Sequence, residues 1–176
     1  TYIPTGRNVG RVEYIHGGAN EVRRAINLSR ERKILGVIFL GGNLDNFREE
    51  FQELGVPGVL ITNNAGELQL PNLSSVYIDD RKAADCAIEM LISLGHKKIA
   101  VVGSHRTYSD ACRKRWEGVL DALERHGLSI DQELDYATVY FSPGGGYSGT
   151  TELLGRGREF TALFTMSDLM SIGAYR

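Results

Sequence analysis

Residues 79–103, DDRKAADCAIEMLISLGHKKIAVVG, predict a helix followed by a buried strand. The apolar residues of the helical part recur at the spacing of one helix face: Ala84, Ala87, Ile88, Leu91 and Ile92. Asp79 or Asp80 can cap the start of this helix, and Gly95 can end it in the left-handed conformation. The apolar run 99–102 that follows is typical of a parallel strand with both faces covered. The stretch therefore predicts one repeating unit of an α/β sheet.

Strands and helices alternate along most of the remaining chain. The other predicted strands are 12–15, 36–42, 56–62, 74–79, 136–141 and 161–165. The other predicted helices are 19–33, a short one over 47–54 that Gly55 closes, 110–126, 147–154 and one that starts at Ser167. The residues before Val12 are expected to be irregular. Strands separated by helices favour parallel sheets with helices on both faces, so the predicted fold class is α/β.

Composition and charge restrict the function. The chain has 176 residues, 42% of them hydrophobic and 24% charged, which is typical of a globular protein with one or two compact units. Its net charge of −2 provides no basic surface for nucleic acid, so DNA binding requires residues outside this sequence. Cys86 and Cys112 lie far apart on predicted helices, a use of cysteine typical of a reducing compartment. Neither a long apolar run nor a secretion signal is present, so we predict a cytoplasmic protein that does not bind membranes.

Residues 144–149, GGGYSG, match the G-x-G-x-x-G pattern of dinucleotide-binding proteins. They lie between a predicted strand and a predicted helix, and Asp168 follows about twenty residues later, as in that pattern. However, Ser142 and Pro143 separate the strand from the first glycine, and the next two glycines break the helix soon afterwards. A pyrophosphate site needs a tight turn into a firm helix N-terminus. We therefore favour a glycine-rich loop between a strand and a short helix, and a dinucleotide-dependent enzyme is the less favoured alternative.

The histidines and cysteines form none of the common metal motifs. His16, His96, His105 and His126 show no H-x-x-x-H spacing, and no C-x-x-C accompanies them. The nucleophile pattern G-x-S-x-G is also absent from the sequence. We therefore predict neither a metal nor another cofactor, and no enzymatic activity.

Three stretches, taken together, resemble one known protein family. They are 78–103, RWEGVLDALERHGLSIDQEL at 115–134, and TALFTMSDLMSIGAYR at 161–176. Their shared features are an Asp before a helix that ends in Gly-His, an Arg-x-x-Gly at the opening of a long helix, and a Ser-Asp after an apolar strand. In these features the chain is similar to the effector-binding core of the lactose and galactose repressor family. The order of elements follows that family from about Ile34 onward, and residues 1–18 fit it poorly.

The resemblance implies the fold of periplasmic sugar-binding proteins, which has two Rossmann-like subdomains with parallel sheets. In this chain the subdomains are expected at 1–78 and 79–176. The family also has a helix-turn-helix headpiece, a hinge helix, a first strand and helix before the matching region, and further strands after it. None of these segments is found in the sequence. We therefore expect the fold to be incomplete at both ends and the natural protein to be longer.

The resemblance also implies a ligand site in the cleft between the subdomains. Arg115 matches the family's main donor to a sugar or nucleobase, and its planar guanidinium offers fixed, forked donors. Asp79 matches an acid that accepts from ligand hydroxyls, and Phe141 matches an aromatic residue that stacks on the ligand. Ser167 and Asp168 match a polar pair at a strand end, the first of which is often asparagine in the family.

The function implied by the resemblance is that of the ligand-sensing core of a bacterial transcriptional regulator. The expected partners are a small sugar or related metabolite as effector, a second copy in a homodimer, and operator DNA bound only through the headpiece. Binding of the effector favours one orientation of the subdomains and thereby changes the spacing of the two DNA-reading heads. An extracytoplasmic sugar-binding protein of a transporter has the same fold and is the alternative.

Overall fold

The computed structural model describes residues 2–5, 8–15, 19–31, 33–105 and 110–176 of the chain. The chain divides into two compact units, Thr1–Ser75 and Val76–Arg176. Each unit has a hydrophobic core of its own. Both contain strands that pair in parallel and helices that pack on them, which confirms the predicted α/β class.

The first unit combines a hairpin with a three-stranded sheet. Its elements are β1 (Tyr2–Thr5), β2 (Asn8–Arg11), α1 (Glu21–Glu31), β3 (Val37–Leu40), α2 (Leu44–Glu50), a 3-10 turn (Phe51–Leu54), β4 (Gly58–Ile61), a second 3-10 turn (Gly66–Leu68) and β5 (Leu73–Val76). β3 and β4 are parallel, with Phe39 opposite Leu60, and β5 lies on the other side of β4.

Aromatic rings fill the core of this unit. Phe39, Phe47 and Phe51 are buried, and the rings of Phe39 and Phe47 meet edge to face with centroids 4.8 Å apart. This geometry is worth about 1 kcal/mol beyond the burial of the ring surface. Gly55 adopts a positive φ of 71° after the 3-10 turn, a conformation that costs glycine little. The predicted short helix closed by Gly55 is thus confirmed, although its second half is a 3-10 turn.

The prediction for the start of the chain is wrong. β1 and β2 form an antiparallel hairpin where irregular structure was expected, and the predicted strand at 12–15 is not formed. Tyr14 and Ile15 are exposed, and no described strand pairs with this segment. Apolar residues alone do not make a strand, because the backbone groups need a partner strand for their hydrogen bonds.

The second unit is a three-stranded parallel sheet with four helices in its described residues. Its elements are α3 (Asp80–Ser93), β6 (Ile99–Gly103), α4 (Asp110–Arg125), β7 (Tyr136–Thr138), α5 (Pro143–Gly155), β8 (Ala162–Thr165) and α6 (Asp168–Ala174). The strand order is β7-β6-β8, so β6 is central, and all five of its residues are buried. The predicted elements of this half are confirmed, but β7 ends earlier and α5 begins earlier than expected.

The opening helix begins and ends as its sequence predicts. The carboxylate of Asp79 accepts a hydrogen bond from the Lys82 amide at 3.0 Å, which makes Asp79 the N-cap. Gly95 has a φ of 94° just after the last turn. His96 then hydrogen-bonds through Nδ1 to Thr161 Oγ1 at 3.0 Å, which ties the corner to the segment before β8.

Close packing of α3 and α4 depends on Gly118. A Cβ added at this position would collide with the carbonyl oxygen of Arg81, so only glycine lets the two helices approach this closely. On the core side of the pair, Ile88 and Val119 are fully buried and Trp116 is nearly so. Helix packing therefore explains the glycine of the Arg-x-x-Gly pattern. The close contact at Gly118 places the start of α4 next to the start of α3.

The predicted glycine-rich loop is wrong, because GGGYSG lies inside helix α5. Ser142 caps this helix by accepting a hydrogen bond from the Gly145 amide at 2.9 Å. A Cβ at Gly146 would collide with the backbone of Met170 on α6, and a Cβ at Gly173 would collide with the carbonyl of Pro143. The glycines thus allow α5 and α6 to pack at short distance. The pattern reflects helix packing, and no phosphate-binding loop is formed there.

Cys86 and Cys112 do not form a disulfide with each other; Cys86 is exposed and Cys112 is buried. None of the described helices is long and apolar enough to cross a membrane.

Candidate functional site

The carboxyl ends of β6, β7 and β8 meet at one edge of the second unit's sheet. Because the three strands are parallel, the residues that follow them lie at the same edge. This edge is where open α/β sheets bind their ligands. Ser104 follows β6, Phe141 comes shortly after β7, and Ser167 comes shortly after β8.

Arg115 of α4 reaches this edge and is held there by two acceptors. Its Nε donates to Asp80 Oδ1 at 2.8 Å, and its Nη1 donates to the backbone carbonyl of Met166, the first residue after β8. The side chain is 27% exposed, and its Nη2 group has no hydrogen-bond acceptor among the described residues. The guanidinium is therefore fixed in position with donors left for another molecule.

Sequence reasoning did not predict Asp80 as the partner of Arg115. Its side chain is only 3% exposed, and it pairs with Arg115. Asp79, the predicted acid, is exposed at the N-cap of α3. One residue advances the direction of a side chain by about 100° around a helix, so only one of two adjacent acids can face α4. The Asp-Asp pair was the feature of the sequence that could have predicted this contact. One acid caps the helix, and the adjacent acid can then pair with a cation on another helix.

The two cations before Arg115 have partners of their own. Arg113 pairs with Asp110 and Glu117, and Lys114 pairs with Asp110 at 2.8 Å. Burial works to raise the pKa of Asp110, but the hydrogen bonds from Lys114 and Arg113 outweigh it and leave this pKa below its ordinary value. Of the three consecutive basic residues, Arg115 is the one whose described contacts lie at the strand ends.

A buried hydrogen bond joins the first residue of β7 to the residue that follows β6. The Tyr136 hydroxyl donates to the backbone carbonyl of Ser104 at 2.7 Å and contacts Met166 Sδ at 3.7 Å. The Tyr136 ring also meets Trp116 edge to face, with centroids 5.0 Å apart. These contacts hold the backbone around the Met166 carbonyl, which in turn holds Arg115.

Phe141 lies outside the strand that was predicted to contain it. β7 ends at Thr138, and Phe141 is an exposed residue just before the cap of α5. The strand ends early, and the Ser142 amide bonds to the Tyr140 carbonyl, so a turn carries the ring at the sheet edge. An exposed ring at this place can stack on a flat ligand surface.

Ser167 and Asp168 form the start of α6. Ser167 Oγ accepts from the Met170 amide at 3.3 Å and is the N-cap, so its hydroxyl already has a structural role. Asp168 is exposed and has no hydrogen-bond or ion-pair partner among the described residues. The sheet topology thus brings Arg115, Phe141, Ser167 and Asp168 to one edge, and Asp79 adjoins it through Asp80.

An open pocket of about 430 Å³ lies at the opposite edge, around the start of β6. Four of its charged side chains pair with one another: Arg158 with Asp135 at 2.8 Å, and Lys98 with Glu159 at 3.1 Å. Among the described residues, no group of three His, Cys, Asp or Glu side chains is arranged to hold a metal ion. His16 lies outside the described residues.

Comparison with known proteins shows the family of this chain. The profile described as periplasmic binding proteins and sugar binding domain of LacI family matches residues 10–176. The chain belongs to this family. The resemblance drawn from the three sequence stretches is confirmed, and with it the periplasmic-binding-protein-like fold class.

Relatives of this LacI-family chain are transcriptional regulators. It is 32% identical to the HTH-type transcriptional regulator MalR of Clostridium butyricum over 160 residues, 89% of this chain and 47% of that protein. It is 36% identical to the HTH-type transcriptional regulator GalR of Escherichia coli over 123 residues, 68% of this chain and 34% of that protein. The chain thus spans less than half the length of these relatives.

Solved structures of LacI-family regulators have the same fold. One, from Enterococcus faecium with bound ribose, superposes with a TM-score of 0.71 at 28% identity, covering 90% of this chain and 57% of that one. Another, a sugar-binding regulator from Escherichia coli complexed with phosphate, gives a TM-score of 0.72 at 26% identity, covering 87% of this chain and 54% of that one.

Proposed function

We propose that this chain is the effector-binding core of a LacI-family transcriptional regulator and that a small, hydroxyl-rich effector binds at the carboxyl edge formed by β6, β7 and β8. The observation that carries the proposal is Arg115, held by Asp80 and the Met166 carbonyl and still partly exposed. A guanidinium that is fixed before the ligand arrives loses little entropy on binding.

The Arg115–Asp80 pair offers no net charge to attract an anionic ligand. Asp80 is buried and paired with Arg115, so the two together carry no net charge. A paired guanidinium still presents directed N–H donors, which suit the vicinal hydroxyls of a sugar or the carbonyls of a nucleobase. Phe141 adds an apolar face for the C–H groups of a sugar ring or for a base.

Acceptors surround this donor in the proposed site. Asp79 and Asp168 supply exposed carboxylates, and Ser167 supplies a hydroxyl fixed by its capping bond. Carboxylates and hydroxyls accept hydrogen bonds from ligand hydroxyls, which complements the donor role of Arg115. The proposed set is therefore Arg115 as donor, Phe141 as stacking surface, and Asp79, Ser167 and Asp168 as acceptors.

The regulatory step is a shift between two conformations. An effector that binds one conformation more tightly increases its population, and its affinity is then linked reciprocally to that for operator DNA. In the proposed protein, DNA is bound by a helix-turn-helix headpiece outside this sequence, and two copies act as a homodimer. The names of the similar proteins support a regulator over a transporter component.

Calorimetry on the full-length protein tests the proposal. A panel of pentoses, hexoses, disaccharides and nucleosides identifies the effector, and Arg115→Gln is expected to lower its affinity by about 100-fold, the loss of a hydrogen-bonded charged group. Arg125→Gln is the matched control, because Arg125 also joins α4 to a buried acid of α3. Unchanged affinity in Arg115→Gln, or an equal loss in both variants, would refute the proposed site.

A further inference from the structure

The amino-edge pocket is the open pocket of about 430 Å³ around the start of β6, and the segments that lead into β6, β7 and β8 frame it. Its volume is within the range of small-molecule sites. The charged residues that line it are Lys97, Lys98, Asp135, Arg158 and Glu159. Three cations against two acids give the lining a positive balance, which attracts an anion.

Arg158 is held in this pocket by a buried acid. Its Nε lies 2.8 Å from Oδ1 of Asp135, whose side chain is only 10% exposed and whose Oδ2 accepts from the Asp131 amide at 2.9 Å. The two Nη groups of Arg158 donate no hydrogen bond to any described residue, and the side chain is 45% exposed. The terminal donors of a guanidinium match two oxygens of a phosphate or carboxylate. Arg158 is therefore positioned with donors left for an oxyanion.

Two lysines add positive charge beside Arg158. Lys97 is exposed and forms no ion pair or hydrogen bond with another described residue. Lys98 pairs with Glu159 at 3.1 Å, but these side chains are 60% and 87% exposed. Ion pairs as exposed as this one are weak, so a bound anion can replace Glu159 as the partner of Lys98.

We infer that the amino-edge pocket is a second ligand site and that it binds the phosphate group of a small metabolite. Arg158 supplies forked donors, and Lys97 and Lys98 supply charge. A phosphate group carries up to two negative charges, so these cations attract it more strongly than they attract a carboxylate. The pocket is larger than a phosphate group alone, which leaves space for the rest of the metabolite.

The two edges of the sheet would then select different ligands. At the carboxyl edge, Arg115 and its partner Asp80 together carry no net charge, and at the amino edge the cations outnumber the acids. The inference does not rest on the proposed function, because the pocket shares no residue with the proposed effector site.

Equilibrium dialysis of the full-length protein with radiolabelled inorganic phosphate, at constant ionic strength, tests the site. We expect one phosphate bound per chain with a dissociation constant of about 1 mM. Arg158→Gln is expected to weaken binding at least about tenfold, and Lys97→Gln about threefold. Lys33→Gln is the matched control, since it removes the same charge from an exposed position in the first unit, and its binding is expected to equal that of the wild type.

Glu159→Gln tests the same site in the opposite direction. It removes the acid that competes for Lys98, so phosphate is expected to bind about threefold more tightly, an effect that a purely structural role of the pair does not produce. Unlabelled methyl phosphate is expected to displace the bound phosphate, and acetate at the same concentration is not.

Lys97→Gln keeps the test decisive if Arg158→Gln does not fold, because Lys97 is exposed and has no partner among the described residues. No saturable phosphate binding would overturn the inference. Binding that Lys97→Gln and Arg158→Gln leave unchanged, or equal displacement by acetate, would overturn it as well.

Discussion

The helix pair α3–α4 carries the same kind of ion pair at both ends, and the two ends serve different purposes. Toward the carboxyl edge of the sheet, Asp80 of α3 holds Arg115 of α4. Toward the amino edge, Asp85 of α3 holds Arg125 of α4, which also binds Glu89 at 2.7 Å. Arg125 thus meets two carboxylates of the neighbouring helix, and Arg115 meets one carboxylate and one carbonyl.

Exposure alone would favour Arg125 over Arg115 as the candidate ligand donor. The side chain of Arg125 is 49% exposed and that of Arg115 only 27%. Arg115 stands out because it lies where parallel strands end and pairs with one carboxylate instead of two. The lesson is that position relative to the sheet and the number of acceptors, rather than exposure, separate a candidate ligand donor from a structural cation.

The largest effect is expected from separating the helices. Gly118→Leu forces a side chain against the Arg81 carbonyl, so we expect a loss of about 3 kcal/mol in the free energy of unfolding measured with urea. Gly155→Ala is the control, since nothing lies within 4 Å of its added Cβ, and it is expected to stabilise the protein by about 0.5 kcal/mol. Equal stability of the two variants would show that close approach of α3 and α4 does not depend on Gly118.

Removing one acid at each end is expected to distinguish the two ion pairs. Asp80→Asn should cost about 2 kcal/mol of stability because Asp80 is buried, and should lower effector affinity about tenfold because Arg115 loses its positioning partner. Asp85→Asn should also cost about 2 kcal/mol, because Asp85 is buried as well, and should leave effector affinity unchanged. Urea unfolding and calorimetry measure the two quantities. If both variants bind effector like the wild type, Asp80 has no positioning role.

The smallest effect is expected on stability when acid protonates Asp85 and Glu89, the carboxylates that pair with Arg125 toward the amino edge of the sheet. Hydrogen bonds from Arg125 and then Lys82 lower the pKa of Asp85, and those from Arg125 and then His126 lower the pKa of Glu89. A depressed folded-state pKa stabilises the protein above the unfolded-state value, and this contribution is lost as the pH falls through the folded-state pKa. Stability is therefore expected to fall below about pH 5, as carboxylates protonate.

Arg125→Gln isolates that response. The variant is expected to be less stable than the wild type at neutral pH and to approach it as the pH falls from about 5 to 3, because the protonated acids no longer gain from Arg125. Urea midpoints at a series of pH values measure the difference. A stability gap that stays constant across this range would show that Arg125 acts through packing and not through charge.

Local patterns predicted most of the second unit. The helical spacing of apolar residues, the N-cap at Asp79 and the ending at Gly95 are determined by residues close in sequence, and all three were confirmed. The two errors had non-local causes. The hairpin β1–β2 depends on strand pairing. Gly146 of α5 packs against Met170, and Gly173 of α6 packs against Pro143, and sequence spacing does not reveal these contacts.

The roles of the candidate site residues stay a prediction. The family pattern singled out Arg115 and the residues after β7 and β8, and sequence order places the latter residues near strand ends. Asp80 was missed because either of two adjacent acids could cap α3 or pair with Arg115. Only the packing of α3 on α4 determines that Asp79 caps the helix and Asp80 forms the ion pair.

The most direct test of the account is a crystal structure of the full-length protein with its effector. We expect a ligand oxygen within hydrogen-bond distance of the Arg115 guanidinium while Arg115 still donates to Asp80. An effector bound elsewhere, with no contact to Arg115, would contradict it.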